Sequence, residues 1–290
     1  MNVCHNTFYA MGTRFDIVLP GVKSVRSKKV FEDILSCVLR LEEKFSYFNP
    51  QSDVSIINRE AGMYPVRVDQ LTLQILFLAK KYHHLTGGAF DICKAALKHG
   101  SEMRSTDGFN SVLLNIDDST IQFLSPYLKI DLGGIGKGFA LEKVKEILIK
   151  AEIKNALISF GESSVLALGR HPKGDSWKIG LRSIQNPREY VHQFELKNCC
   201  LSTSGNFQFN DDGTISEHPH IIDPKTNSLI YGNRTVSVVS KSALEAEIVS
   251  TALCVKKENE VEDITNNIKV LDYIFLVSKP ANDYLVNCEN

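Results

Sequence analysis

The segment that most constrains the fold is residues 129–142, which read K-I-D-L-G-G-I-G-K-G-F-A-L-E. Apolar residues at helical spacing follow its four glycines, so we expect a strand at 127–130, a glycine-rich turn and a helix. Backbone N–H groups at a helix N-terminus bind anions, and glycine lets a ligand approach closely. The segment lacks P-loop and usual dinucleotide spacings. It therefore predicts either a phosphate site that includes Lys137 or a turn that needs glycine only for its backbone angles.

Length and composition favour an ordinary globular protein. The 290 residues are 43% hydrophobic and 23% charged, and the formal net charge is −1. This charge gives no indication of a nucleic-acid-binding surface or a polybasic membrane anchor. No repeat or Pro/Ser-rich linker divides the chain, so we predict one domain over residues 1–290.

Cysteine usage indicates a reducing compartment. Seven cysteines are scattered without a C-x-x-C pair, at positions 4, 37, 93, 199, 200, 254 and 288. The N-terminal residues do not resemble a signal peptide, and no apolar run has the length of a membrane span. We therefore expect a cytoplasmic protein.

Periodicity predicts an α+β fold, with mixed or antiparallel sheets and flanking helices in one compact domain. Helical patterns cover residues 24–48, 68–85 and 243–255. Asp69 is expected to cap the second of these helices, and Ser52 or Asp53 a short helical turn. Strand patterns follow one another without intervening helices, which is typical of α+β proteins. They cover residues 8–19 with a break at Gly12, 111–115, 120–123, 155–160, 165–168, 175–181, 190–196, 236–240 and 270–277, and residues 94–110 are irregular.

Seven unusual stretches stand in a fixed order. They are A-M-G-T (10–13), F-S-Y-F-N-P-Q-S-D-V-S-I-I-N (45–58), T-G-G-A-F-D (86–91), I-D-L-G-G-I-G-K-G (130–138), T-S-G-N (203–206), H-I-I-D-P-K-T (220–226) and A-E-I-V-S-T-A-L (246–253). Together they resemble the ApbE family, the FAD:protein FMN transferases, over almost the whole chain. The resemblance implies an ApbE-like fold. It also implies an activity that uses Mg²⁺ and FAD to move FMN onto a threonine hydroxyl of an acceptor flavoprotein, with release of AMP.

The resemblance also implies a set of site residues. The positions expected to hold the flavin nucleotide are Met11, Tyr47, Ala89, Phe90, Asp91, Gly133, Phe139 and Ile222, and Lys137 is a further candidate for the phosphates. The metal ligands are expected to be the Gly136 carbonyl, Glu247 and Thr251. Oxygen ligands of this kind suit Mg²⁺. Residues 247 and 251 are four apart on a predicted helix and so share a face, although a solvated glutamate and a core threonine would give the same pattern.

A hydroxyl nucleophile needs a base, and His220 with Asp223 is the candidate pair. Asp223 would either orient the imidazole or help to hold the phosphates, whereas a histidine satisfied by the backbone is the simpler alternative. His218 would lie on the same strand face as His220, but a metal pair there is less favoured. Residues 204–206 would form a second turn near the nucleotide. The adjacent His83 and His84 are expected to be a half-buried and surface pair.

The chain departs from the usual family pattern at three positions. Glu247 stands where aspartate is usual, and its longer side chain is expected to shift the ion, to favour Ca²⁺ or Mn²⁺, or to be absorbed by the backbone. Glu162 replaces a second glycine after Gly161 and would put a negative charge near the phosphates if its loop faces the site. Asn227 replaces a glycine but tolerates left-handed angles. A metal-dependent FAD pyrophosphatase and an impaired FAD-binding protein therefore remain alternative functions.

Overall fold

The chain folds around an antiparallel sheet that begins with a long N-terminal hairpin. The structure is a computed structural model that describes residues 2–100, 108–186, 188–209, 215–232, 234–256, 260–279 and 282–286. Residues 101–107 of the predicted irregular stretch, and Cys288, lie outside this described part.

Helices follow the amphipathic segments, and side-chain caps fix several of their starts. They are α1 (Ser24–Phe45), α2 (Asp53–Glu60), α3 (Gln70–Leu85), α4 (Gly136–Lys150), α5 (Ala243–Val255) and α6 (Glu262–Asn267). Short 3₁₀ helices cover Lys94–His99 and Phe109–Ser111. Ser52 Oγ accepts a hydrogen bond from the Ser55 N–H at 3.0 Å, and Asp69 Oδ1 accepts one from the Thr72 N–H at 2.9 Å. The predicted caps at these two residues are therefore confirmed.

The central sheet has the strand order β1-β2-β6-β7-β10-β15-β16-β17. These strands are β1 (Val3–Ala10), β2 (Thr13–Pro20), β6 (Ala156–Phe160), β7 (Ser164–Leu168), β10 (Cys199–Gly205), β15 (Arg234–Ser240), β16 (Asp272–Lys279) and β17 (Asn282–Val286). Neighbouring strands of this sheet are antiparallel. The smaller sheets contain β3 (Val66–Arg67), β4 (Val112–Asn115), β5 (Thr120–Phe123), β8 (Trp177–Arg182), β9 (Tyr190–Leu196), β11 (Phe207–Phe209), β12 (Ile215–Glu217), β13 (Ile222–Asp223) and β14 (Ser228–Leu229).

Alternation along the central strands places apolar side chains on both faces of the sheet. In β7, Leu166 belongs to the larger core, which also contains apolar residues of helices α1, α4 and α5. Its neighbours Val165 and Ala167 face the other way and pack in a smaller core with Trp177 and Phe194 of the β8–β9 hairpin. Helices therefore cover one face of the sheet and the hairpin covers part of the other. The predicted α+β class is confirmed.

The predicted strand at 127–130 is wrong. Residue Ile130 pairs with no strand in the described part of the chain, and its N–H and carbonyl are bonded to the side chain of Asn58, at 2.7 and 2.9 Å. The N–H of Asp131 then donates to the Ile92 carbonyl at 2.8 Å. One amide side chain thus satisfies the backbone groups that a neighbouring strand would otherwise engage.

Two further differences lie at the ends of the sheet. The first strand begins at Val3 rather than at residue 8, because β1 pairs with β2 over its whole length. The structure also has a strand, β17, after the strand predicted to be the last. Within the described residues, no helix is both long enough and apolar enough to cross a membrane.

Candidate functional site

A cleft of about 1410 Å³ lies beside the glycine turn, between the N-terminus of α4 and the β8–β9 hairpin. Strands β6, β7 and β10 contribute to its floor. The structure brings nine of the predicted site residues to its walls, namely Ala89, Phe90, Asp91, Gly133, Lys137, His220, Ile222, Glu247 and Thr251. Chain segments that are far apart in sequence therefore meet at one concave surface.

The other five predicted site residues lie around the cleft. Met11 occupies the β1–β2 turn with φ 48°, and its N–H donates to a Glu42 carboxylate oxygen. Tyr47 stacks on His99 with ring centroids 4.0 Å apart. Phe139 is 1% exposed and belongs to the core. Gly136 is the first residue of α4, and Asp223 belongs to the β13–β14 pair.

Asp131 is buried at the start of the glycine turn, where it contacts both the turn and two basic side chains. Its Oδ1 accepts a hydrogen bond from the Gly133 N–H at 2.7 Å. Its Oδ2 lies 2.7 Å from Lys98 Nζ and 2.9 Å from His99 Nε2. Burial raises the pKa of Asp131, but the Lys98 charge and these hydrogen bonds outweigh burial, so the pKa lies below its usual value.

At the other end of the turn, the Glu247 carboxylate likewise contacts both a glycine N–H and a basic side chain. Its side chain is 4% exposed, and Oε2 accepts a hydrogen bond from the N–H of Gly138. Its Oε1 lies 2.6 Å from Lys137 Nζ, but this buried oxygen accepts no hydrogen bond of regular geometry. Sequence periodicity alone favoured a solvated glutamate here, and the structure contradicts that alternative.

Most of the turn's backbone donors are engaged within the protein. The N–H groups of Ile135 and Gly136 donate to the Leu132 carbonyl, and those of Gly133 and Gly138 donate to the two carboxylates. The side chains of Lys98 and Lys137 line the cleft beside the turn. These two cations, rather than the four engaged N–H groups, are therefore available to an anion in the cleft. Sequence reasoning emphasised the N–H groups and missed Lys98 and His99, which lie in a stretch without periodic signal.

The arrangement of donors near Glu247 suits a hard divalent cation. Thr251 Oγ1 donates to the Glu247 carbonyl at 3.0 Å and lies 3.2 Å from Ser204 Oγ. Among the described residues, no three His, Cys, Asp or Glu side chains cluster as metal ligands do. A site here would therefore combine one carboxylate with hydroxyl and carbonyl oxygens, a set that Mg²⁺ accepts together with phosphate oxygens and water. The buried Oε1 without a regular hydrogen bond fits a ligand of this kind.

His220 lies in the cleft wall with one ring nitrogen fixed by the backbone. Its Nδ1 is 2.9 Å from the His218 carbonyl oxygen, which only accepts, so Nδ1 carries the proton and a neutral ring keeps Nε2 as an acceptor. Desolvation is the main cause that lowers the pKa of His220, the His218 bond opposes it, and the positive charges of Lys98, His218 and Lys137 lower it further. Although desolvation contributes, His220 as a whole is exposed to solvent.

Asp223 does not orient this imidazole, which corrects the first of its two predicted roles. Its Oδ1 accepts a hydrogen bond from the Lys225 N–H at 2.8 Å, and the His218 carbonyl instead fixes the His220 tautomer. A short local turn satisfies the carboxylate because aspartate readily bonds the backbone two residues on. Asn227, which ends this motif, adopts φ 57°, as expected for a residue that replaces glycine.

Glu162 faces the cleft from a turn in which both it and Gly161 have positive φ, at 59° and 64°. Its carboxylate lies 3.6 Å from Arg14 and 3.4 Å from Arg182. The negative charge that we expected near the phosphates is therefore balanced by two guanidinium groups, neither of which the sequence indicated.

Asp91 has a structural role at the edge of the cleft. Its Oδ1 accepts a hydrogen bond from the Cys93 N–H at 2.8 Å, and its Oδ2 accepts one from the Phe109 N–H at 3.0 Å. His83 is buried 3.5 Å from this carboxylate, whereas His84 is exposed. His84 lies at the surface as predicted, whereas His83, which was expected to be half-buried, is buried.

Comparisons with known proteins identify the family of the chain. A sequence model of the ApbE family matches residues 11–275. An FAD:protein FMN transferase of Vibrio cholerae is 27% identical over 272 residues, which are 86% of this chain and 80% of that protein. Proteins of the same name from Chlamydia muridarum and Escherichia coli are 26% and 22% identical, over 82% and 94% of this chain and 80% and 84% of their own lengths.

Solved structures share the fold over nearly the whole chain. The crystal structure of the ApbE protein from Thermotoga maritima superposes with a TM-score of 0.84 at 24% identity, and covers 99% of this chain and 97% of that one. The flavin transferase ApbE from Vibrio cholerae gives a TM-score of 0.83 at 22% identity, with the same coverage. The family match, the fold and the arrangement of the cleft lead to one conclusion: the chain belongs to the ApbE family.

Proposed function

We propose that this protein transfers FMN from FAD to a threonine hydroxyl of an acceptor flavoprotein and releases AMP, with Mg²⁺ as the metal. The observation that carries the proposal is the pairing of Lys98 and Lys137 with buried carboxylates at the two ends of the glycine turn. Two ammonium groups at the N-terminus of a helix suit a diphosphate, which needs positive charge held in fixed positions. The names of the curated relatives support the same reaction.

The dinucleotide would lie along the cleft with its diphosphate at the turn. Its flavin would contact the side formed by Met11, Tyr47, residues 89–91 and Ile222. Phe139 is part of the core below the turn, so its contribution to this site would be support of the turn. Asp223, which is engaged in its own turn, would act through the conformation of residues 220–226.

Glu247, Thr251 and the Gly136 carbonyl would hold the metal. Lys137 pairs with the same carboxylate, so its ammonium neutralises Glu247 before a cation arrives. Bound Mg²⁺ would supply positive charge to the diphosphate oxygens of FAD. The longer Glu247 side chain reaches the turn while its Oε2 remains bonded to the Gly138 N–H, which supports absorption of the extra methylene within the fold.

His220 is suited to act as the base. The threonine hydroxyl attacks the phosphorus of the FMN phosphate, and its proton passes to His220 Nε2. A new P–O bond forms to the threonine oxygen while the bond from this phosphorus to the bridging oxygen breaks, and AMP departs with that oxygen. The lowered pKa keeps the ring neutral and able to accept a proton at neutral pH.

The acceptor is a second protein, and the open cleft gives it access to the turn. A cytoplasmic location belongs to the same proposal. The support for it is that the six described cysteines are all free thiols.

A direct test is FAD turnover with Mg²⁺, Mn²⁺ or Ca²⁺, with and without a threonine-bearing flavoprotein acceptor. We expect fluorescent flavin to become covalently attached to the acceptor and AMP to appear in equal amount. Glu247→Ala should abolish metal-dependent turnover, Glu247→Asp should retain it, and Glu146→Ala on the exposed face of α4 should leave it unchanged.

Two results would contradict the transferase proposal. Rapid release of AMP and FMN that is independent of acceptor would identify an FAD pyrophosphatase. Tight FAD binding without turnover with any of the three metals would identify a flavin-binding protein that has lost the chemistry. Unchanged metal dependence in Glu247→Ala would refute the ligand assignment alone.

A further inference from the structure

The ammonium of Lys98 lies directly beside the glycine turn. Its Nζ is 2.7 Å from Asp131 Oδ2, and it is 3.4 Å from the position that a Cβ on Gly133 would occupy. The side chain lines the cleft and is 23% exposed. A cation in this position faces the same space as the predicted diphosphate.

Asp131 holds this cation in place. Its carboxylate is 7% exposed, and its Oδ1 is bonded to the Gly133 N–H. Because that backbone group belongs to the turn, the Lys98 ammonium is held at a fixed position relative to the turn. An ammonium has three N–H donors, so contact with one carboxylate oxygen leaves capacity for phosphate oxygens.

Lys98 and Lys137 form equivalent arrangements at the two ends of the turn. In each, one oxygen of a buried carboxylate accepts from a glycine N–H and the other contacts a lysine. Four N–H groups of the turn are engaged within the protein, so the two ammonium groups offer an anion the positive charge that these four N–H groups do not. Lys98, Lys137 and His220 all line the same cleft, so the two ammonium groups and the imidazole face one space.

We infer that Lys98 is a second diphosphate-binding residue, which holds FAD from the side of the turn opposite Lys137 and positions the phosphorus for attack. The inference rests on the proposed function. It assigns to the short 3₁₀ helix Lys94–His99 a binding role in addition to neutralisation of the buried Asp131. Residue 98 would thereby favour dinucleotides over flavins without phosphate.

The test compares ligands with and without phosphates. Wild type, Lys98→Met and Lys29→Met are titrated with FAD and with riboflavin in the absence of divalent metal, and binding is followed by flavin fluorescence. Lys29 is a matched control because its Nζ pairs with Asp33 at 2.8 Å on the outer surface of α1. We expect Lys98→Met to weaken FAD binding about 10-fold or more, as for loss of a charge-assisted hydrogen bond, with riboflavin binding unchanged. Lys29→Met should change neither.

Salt dependence gives a second readout, because a lost ammonium–phosphate contact lowers the sensitivity of FAD binding to KCl. Equal losses of FAD and riboflavin affinity, or an unchanged affinity and salt slope for FAD, would overturn the inference. If wild type binds FAD and only the Lys98 effect is missing, the proposed function stands and this inference fails. If wild type does not bind FAD either without divalent metal or with Mg²⁺ added, both fail.

Lys98→Met leaves Asp131 without its cation and so risks misfolding. Should that variant not fold, Asp131→Asn is compared with the double variant Lys98→Met/Asp131→Asn, in which no buried carboxylate remains to be neutralised. A further 10-fold loss of FAD affinity in the double variant relative to Asp131→Asn is expected from the same contact. Equal FAD affinities of these two variants would refute the role of Lys98.

Discussion

Gly138→Ala is expected to destabilise the protein because α4 and α5 meet at this glycine. A Cβ at residue 138 would lie 2.7 Å from the Leu244 Cα, 2.8 Å from the Ala243 carbonyl oxygen and 2.9 Å from Glu247 Oε2. Two of these atoms are backbone, so the helices must move apart. Overpacking of this kind costs about 1–3 kcal/mol.

The same movement weakens the bond between the Gly138 N–H and the buried Glu247 carboxylate. A hydrogen bond to a charged group contributes about 1.5–3 kcal/mol. Alanine recovers up to about 1 kcal/mol because it is the better helix former. We therefore expect the free energy of unfolding to fall by about 2–5 kcal/mol.

Gly136→Ala is the matched control in the same helix. A Cβ at residue 136 would have no atom within 4 Å, so stability should be unchanged or should rise by up to about 1 kcal/mol. Equilibrium urea unfolding of the three proteins, with the midpoint and slope fitted separately, measures the difference. Equal stability of the two variants would refute the argument that close helix packing requires glycine at residue 138.

Two further predictions concern the cleft. Glu162→Gly should raise the free energy of unfolding by about 0.5–1 kcal/mol through relief of a positive φ and should tighten FAD binding, because a carboxylate leaves the cleft. The control is Glu152→Gly, at φ 49° on the outer surface, which should give the same gain in free energy of unfolding, measured with urea, and leave FAD affinity unchanged. Weaker FAD binding by Glu162→Gly would contradict the reasoning. The transfer rate should stay on a plateau above pH 6.5 and fall only as pH drops through the lowered pKa of His220, because the neutral ring is the base. His220→Gln should lower the rate about 10²- to 10⁴-fold and remove this acid limb, and persistence of the limb would exclude His220 as the base.

The sequence was sufficient to predict helices whose ends are fixed by neighbouring residues. Helix α5 matches the prediction of 243–255, and Ser52 and Asp69 cap their helices as expected. The segment 127–130 has the apolar content of a strand, but the partner of its backbone is Asn58, 72 positions away. No periodicity reports such a contact, because it arises only when the chain folds back on itself.

The same distinction applies to the site. Motifs indicated the residues that reach the cleft, because short sequences encode turns and helix starts. Lys98 was missed because its significance comes from Asp131, 33 positions later, and from the glycine that leaves room beside it. The first role predicted for Asp223, orientation of the His220 imidazole, was wrong for a related reason: its carboxylate bonds to the Lys225 N–H two residues on, and the His218 carbonyl holds the ring.

The main role of the glycine turn is to fix the positions of charged side chains, because several of its N–H groups are engaged within the protein and are not free to bind an anion. Glycine is needed at residue 138 because α5 approaches it, and the Glu247 carboxylate of α5 accepts a hydrogen bond from the buried Gly138 N–H. Asp131 takes another N–H at the opposite end of the turn. Each carboxylate also pairs with a lysine, Asp131 with Lys98 and Glu247 with Lys137. The buried acids therefore fix the positions of the positive charges that face the cleft. This arrangement explains why Glu247 is buried in spite of its charge. Loss of either acid should therefore disturb the position of a cation as well as the turn itself.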